Sequence, residues 1–273
     1  MSKMAIVIML IAAGGMIFGL SKQKAGASWG KPLAVVCAIV ALLCAVGNIF
    51  STGGPDVGQV REREMAYQEI GAQKLGMYLA EKYPGGKVIV IVEPTLGTAA
   101  KPSAVLDGLK KGFGSNVTIV EEISPDIPES AKNAFSEEMP MGEGGEGGEG
   151  GEMLPPLEFW FTAKIFDAMV KSNAGKCDVI ITTIGLPMDL GAMKFWTMKK
   201  RPDLALASGS VYELKKAIAG KAIVAAVTYN PKAVYDEKPP PSDLDAAFDK
   251  RYLLVTPENV SKIAGEYGDL FKK

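Results

Sequence analysis

Histidine is absent from all 273 residues. That removes the commonest metal ligand and the most usual general base. Ser-His-Asp and Cys-His nucleophile schemes go with it. Cysteine is scarce, at Cys37, Cys44 and Cys177. Cys37 and Cys44 share one apolar run and one helix face, where they serve as small packing residues. Cys177 stands alone in the remainder, so no disulfide can close there within one chain. Net charge is nearly nil, at −1, so no global field points to nucleic acid or to acidic substrates. Nucleotide signatures are missing as well: no GxxxxGK[ST] occurs, and no GxGxxG follows the first predicted strand. No cofactor and no metal is expected.

What is present begins with two charge-free apolar runs, 4–20 (MAIVIMLIAAGGMIFGL) and 33–50 (LAVVCAIVALLCAVGNIF). Each reaches the roughly 17-residue lower limit for a helix that crosses a bilayer. They predict a transmembrane helical hairpin over 1–50, with membrane lipid and a membrane-protein partner as its contacts. Gly15 and Gly19 form a GxxxG pattern that suits close helix approach. An alternative treats 1–27 as a signal peptide, with Ala25-Gly26-Ala27 as an A-x-A site. Lys22 and Lys24 argue against cleavage there, because that region is normally uncharged. The turn 21–32 carries Lys22, Lys24 and Lys31, against Lys3, Arg61 and Arg63 on the outer flanks. The concentration of charge in the turn leans towards a cytoplasmic turn and an extracytoplasmic domain, at the inner (cytoplasmic) membrane.

A connecting helix is expected within 51–86, over 57–83, ended by Pro84-Gly85-Gly86. Its first half, REREMAYQE, is polar. From Lys87 the pattern switches to short β-branched runs at 87–93, 116–122, 178–184, 203–207, 221–228 and 251–256. Continuous apolar runs of this kind suit strands buried on both faces. Helices are expected near 102–113, 157–172, 188–200, 210–219, 242–249 and 257–271. The alternation predicts an α/β fold over 87–273, a doubly wound, mostly parallel sheet of about six strands with helices on both faces. Residues 137–153 (EEMPMGEGGEGGEGGEM) read as a flexible acidic loop. Residues 231–241 (PKAVYDEKPPP) read as an extended connector.

Ligands of open parallel sheets bind at the carboxyl ends of the strands. The candidates there are Glu93, Thr95, Thr98, Asp126, Gly185, Asp189, Ser208, Ser210, Tyr229 and Asn230, with Ser124 on the same rim. Many of them also suit helix caps: Ser210 with Glu213 makes a capping box, Thr256 precedes Pro257, and Asp189 and Ser103 can cap. The aromatics Phe159, Trp160, Phe161, Phe166, Phe195 and Trp196 read mainly as core, with a partner-facing patch as the alternative.

The runs KVIVIVEP, NVTIVEEISP, CDVIITTIGLP and KAIVAAVTYNP resemble one Rossmann-like lobe of type 1 periplasmic binding proteins. The resemblance implies that each strand ends in a ligand-facing loop. That family closes two lobes on a small molecule, whereas 87–273 has sequence for one. The function expected is therefore a membrane-anchored, non-enzymatic domain that recognises a small polar ligand or a partner protein. Two alternatives stand beside it: a structural accessory subunit of a membrane complex, and a histidine-free enzyme centred on Glu93 with Asp126 as companion.

Overall fold

The computed structural model describes residues 3–51, 57–94, 103–131 and 155–272, with backbone alone at 3–10, 43–51 and 57. The acidic 137–153 segment, Thr95 and Thr98 lie outside the described residues. The chain separates into two compact units, Met1–Glu62 and Arg63–Lys273.

In the first unit α1 (Lys3–Lys24) and α2 (Gly30–Ser51) are joined by a short turn with Gly26 at φ +83°. The glycines of the GxxxG pattern are what let them pack. A Cβ at Gly15 would lie 2.7 Å from Cys37 Sγ, and one at Gly19 would lie 2.8 Å from the Gly30 carbonyl oxygen. The transmembrane reading is corrected. Among the described residues no helix is long and apolar enough to cross a membrane. Ile11, Ile17, Val36 and Leu42 are exposed on this unit. Anchoring, lipid contact and a partner packed on the hairpin are without support from the described residues.

The second unit is α/β. Its strands are β1 (Gly86–Ile91), β2 (Val117–Ile123), β3 (Val179–Thr182), β4 (Asp203–Leu206), β5 (Ile223–Tyr229) and β6 (Tyr252–Val255). They form one sheet in the order β2-β1-β3-β4-β5-β6. The pairings are parallel except β5 with β6, which run antiparallel with Tyr229 opposite Tyr252. β1, β3 and β5 are apolar almost throughout because both of their faces are covered.

One face buries Tyr67, Leu75 and Leu79 of α3 (Val57–Lys82), Leu109 and Phe113 of α4 (Ala104–Phe113), and Phe248 of α7 (Leu244–Asp249). The other buries Phe166 and Val170 of α5 (Ala163–Asn173), Ile218 of α6 (Lys215–Ala219) and Val260 of α8 (Val260–Glu266). α3 therefore contributes to the core, despite its polar start. α4 reaches it through glycines, since a Cβ at Gly112 would stand 2.2 Å from the Gln73 carbonyl oxygen.

Several helices are shorter than the sequence pattern suggests, and three of them for a local reason. Residues 188–200 form two 3-10 turns, Leu190–Ala192 and Lys194–Thr197. The buried Asp167 carboxylate fixes the second turn by accepting from the backbone N–H of Lys194 at 2.8 Å and of Phe195 at 2.9 Å. α6 starts only at Lys215 because Glu213 sits at φ +63°, which a helix cannot accommodate, so the expected capping box does not form. α8 starts after Asn259, whose side chain accepts from Thr256 N–H and donates to the Leu254 carbonyl.

Residues 231–241 are irregular and held from below. The buried Arg251 guanidinium carbon lies 4.0 Å from the centroid of the Tyr235 ring and 4.4 Å from that of Tyr67. Glu64 pairs with that guanidinium at 3.3 Å.

Cys177 precedes β3, at the end of the sheet opposite the strand carboxyl termini. Burial, and then the neighbouring Asp178 carboxylate, push its thiol up to about 11. At pH 8 about one molecule in a thousand carries the reactive thiolate. Labelling of Cys177 by a maleimide, in a chain lacking the other two cysteines, should rise about tenfold per pH unit from pH 7 to pH 10. A plateau by pH 9 would show an ordinary, exposed thiol.

Candidate functional site

The chain runs from β1 outward to β2 and then returns to β3 on the other side of β1. This reversal splays the loops leaving β1 and β3 in opposite directions and opens a crevice at their carboxyl ends. The structure has a cavity of about 540 Å³ there, on the α3 and α4 face. Its floor is the strand ends: Val92 and Glu93 after β1, Thr183 and Ile184 after β3, Ala207 to Gly209 after β4, and Thr228 and Tyr229 of β5. Its walls are Met65, Gln68 and Gly71 of α3, the first turn of α4, Glu122 and Ser124 of the β2 edge, and Tyr252 of β6.

Local hydrogen bonds hold the floor. Ser208 Oγ donates to the Thr183 carbonyl at 2.7 Å, and Thr183 Oγ1 donates to the Ile91 carbonyl at 3.1 Å. One level below, Thr182 Oγ1 donates to the Gly185 carbonyl at 2.7 Å and accepts from Ile184 N–H. Gly185 and Gly209 take φ +77° and +123°, a backbone region closed to most side chains. A side chain on Gly209, which lines the cavity, would be strained.

The ring of Tyr229, 54 % exposed, stands beside that of Tyr252 with centroids 5.5 Å apart. Burial, foremost, raises the Tyr252 phenol well above its ordinary value, so it stays neutral and protonated. Ser103 caps α4 by accepting from Leu106 N–H at 3.3 Å. Glu122 pairs with Lys110 of α4 at 3.3 Å.

Of the residues singled out from sequence, Glu93, Ser208 and Tyr229 line this cavity together with Ser124. The others have different work or stand elsewhere. Asp189 accepts from Ala163 N–H at 2.8 Å and so holds the start of α5. Ser210 Oγ accepts from Tyr212 N–H in a local turn. Asn230 ties its own loop, accepting from Lys232 N–H and donating to the Asp249 carbonyl. Gly185 shapes the β3 loop from behind. Asp126 is exposed and does not line the cavity. Thr95 and Thr98 fall outside the described residues.

Sequence reasoning missed Gln68, Glu122 and Tyr252. Gln68 sits on a helix that precedes the sheet in the chain. Glu122 lies inside a strand, and Tyr252 begins one, so neither occupies the post-strand position that marks a ligand loop. Among the described residues no group of three or more acidic or sulfur-bearing side chains is placed to hold a metal ion.

No family model matches the chain, and no curated protein matches it in sequence. Among solved structures, a galactofuranose binding protein is 15% identical with a TM-score of 0.42, covering 75% of this chain and 64% of that one. An ABC transporter solute-binding protein from Burkholderia graminis, in complex with D-arabinose, is 13% identical with a TM-score of 0.41, covering 71% and 61%. A chain of the TorS sensor domain–TorT complex is 12% identical with a TM-score of 0.40, covering 71% and 56%. The chain thus spans little more than half the length of the last and under two thirds of the others. The resemblance read from the strand runs is one of fold pattern, and no binding residue is carried across from these proteins.

Proposed function

We propose that the Arg63–Lys273 domain is a non-enzymatic module that binds a small polar ligand in the strand-end cavity. The observation that carries this reading is the cavity itself. It lies at the reversal of strand order, and its volume falls in the range of small-ligand sites, about 300 to 1,000 Å³. Its lining mixes hydroxyls, an amide, carboxylates and a tyrosine pair. A scaffold role calls for a filled rim, whereas the described residues leave a cavity there. The companion expected of Glu93 in an enzymatic role, Asp126, does not line the site.

The test is a thermal-stability screen of the 273-residue chain against small polyols, amines and carboxylates. A ligand at a hundred times its Kd stabilises by about 2.7 kcal/mol, which raises the Tm of a domain this size by roughly 5 to 11 °C. A screen in which no compound moves Tm would contradict the proposal.

A further inference from the structure

Resting on that binding reading, we propose that the cavity selects a cationic ligand, a small polyhydroxylated primary amine whose ammonium is held by Glu93. Among the described residues lining the cavity, Glu93 and Glu122 are the ones charged at neutral pH, and no lysine or arginine lines it. Lys110 meets Glu122 at 3.3 Å. Glu93 has no such cationic partner among the described residues, so its carboxylate is the charge left for a ligand. Lys101 lies outside the described residues.

The amino terminus of α4 pulls the other way, because a helix start carries about half a positive charge. Here that end is already met within the chain. Ser103 Oγ takes the Leu106 N–H, and Asp107 occupies the first turn. A full carboxylate therefore outweighs it, and an anionic ligand would be repelled.

The remaining lining suits the rest of such a molecule. The Tyr229 ring offers a π face, which attracts an ammonium lying within about 6 Å of its centroid. Ser208 spends its proton on the Thr183 carbonyl, so its oxygen is left to accept from a ligand hydroxyl. Ser124 and Gln68 can both donate and accept.

The experiment titrates the full chain with three six-carbon polyols of nearly equal shape: glucamine, sorbitol and gluconate. Glucamine should bind about tenfold or more tighter than sorbitol, since a hydrogen bond to a charged group is the stronger one, and gluconate should bind weakest. Glu93→Gln, with its fold verified by circular dichroism, should abolish the preference and bring glucamine to the level of sorbitol in the same variant. Sorbitol or gluconate binding as tightly as glucamine would overturn the proposal. So would a glucamine preference that survives in Glu93→Gln. If none of the three binds while other compounds in the screen raise Tm, the amine assignment alone fails. If no compound in either set binds, the binding reading fails with it.

Discussion

Replacing Gly112 with leucine is expected to cost the Arg63–Lys273 domain about 3 kcal/mol or more, the upper end for overpacking. α3 and α4 touch backbone to backbone. A Cβ at Gly112 would lie 2.2 Å from the Gln73 carbonyl oxygen and 2.8 Å from Gly76 Cα; one at Gly108 would lie 2.2 Å from the Glu69 carbonyl oxygen. No flexible side chain is available to yield. The added atoms must push α3 off a sheet against which Tyr67, Leu75 and Leu79 are fully buried. Both helices also wall the cavity, so binding should weaken along with stability. Gly265→Ala is the control. It stands in α8 with nothing within 4 Å of its added Cβ, and should gain about 0.4 to 1 kcal/mol. Urea denaturation of the two variants checks the pair. A Gly112→Leu domain within about 1 kcal/mol of the parent would mean that the helices do not meet as described.

Phe195→Ala should cost about 3 to 5 kcal/mol, as expected for emptying an aromatic site in a core. Phe195 is fully buried and meets Phe166 edge-on at 5.8 Å, and Phe166 meets Phe161 at 6.4 Å. Arg201 lies over the Phe195 ring at 4.5 Å. The Phe195 N–H is bound by the Asp167 carboxylate, which limits how far the turn can collapse into the space left behind. Phe159, only a few residues from the other aromatics in sequence, is 80% exposed. Phe159→Ala should stay within about 0.5 kcal/mol of the parent. Chemical denaturation of both variants separates core from surface. Similar losses in the two would contradict the burial described.

The strands were legible because parallel strands covered on both faces need unbroken β-branched runs, and 87–93, 178–184 and 221–228 supply them. Helix ends were less legible. A capping residue in the sequence does not guarantee a cap, as Ser210 and Glu213 show: the positive φ at Glu213 delays α6 to Lys215. The site was legible only where it consists of residues directly following strands, at Glu93, Ser208 and Tyr229. Asp189 and Asn230 occupy such positions too, but the backbone takes their side chains. Gln68 reaches the cavity from a helix that comes earlier in the chain, and pairing of that helix with the sheet is a tertiary fact with no local signature. The apolar runs at the amino terminus were legible as paired helices with glycines between them. Their reading as spans did not stand.

The central claim is that ligand enters the cavity at the strand carboxyl ends, and amide NMR of the 273-residue chain tests it most directly. A compound that raises Tm should shift the amides of Val92, Glu93, Ser208, Gly209 and Tyr229 first, and saturate them together. Ala104→Trp places a bulky ring in the first turn of α4, on the cavity wall. It should leave the fold intact and weaken binding by about tenfold or more, equivalent to roughly 1.4 kcal/mol. Shifts centred elsewhere, or unchanged binding in a folded Ala104→Trp chain, would contradict the account.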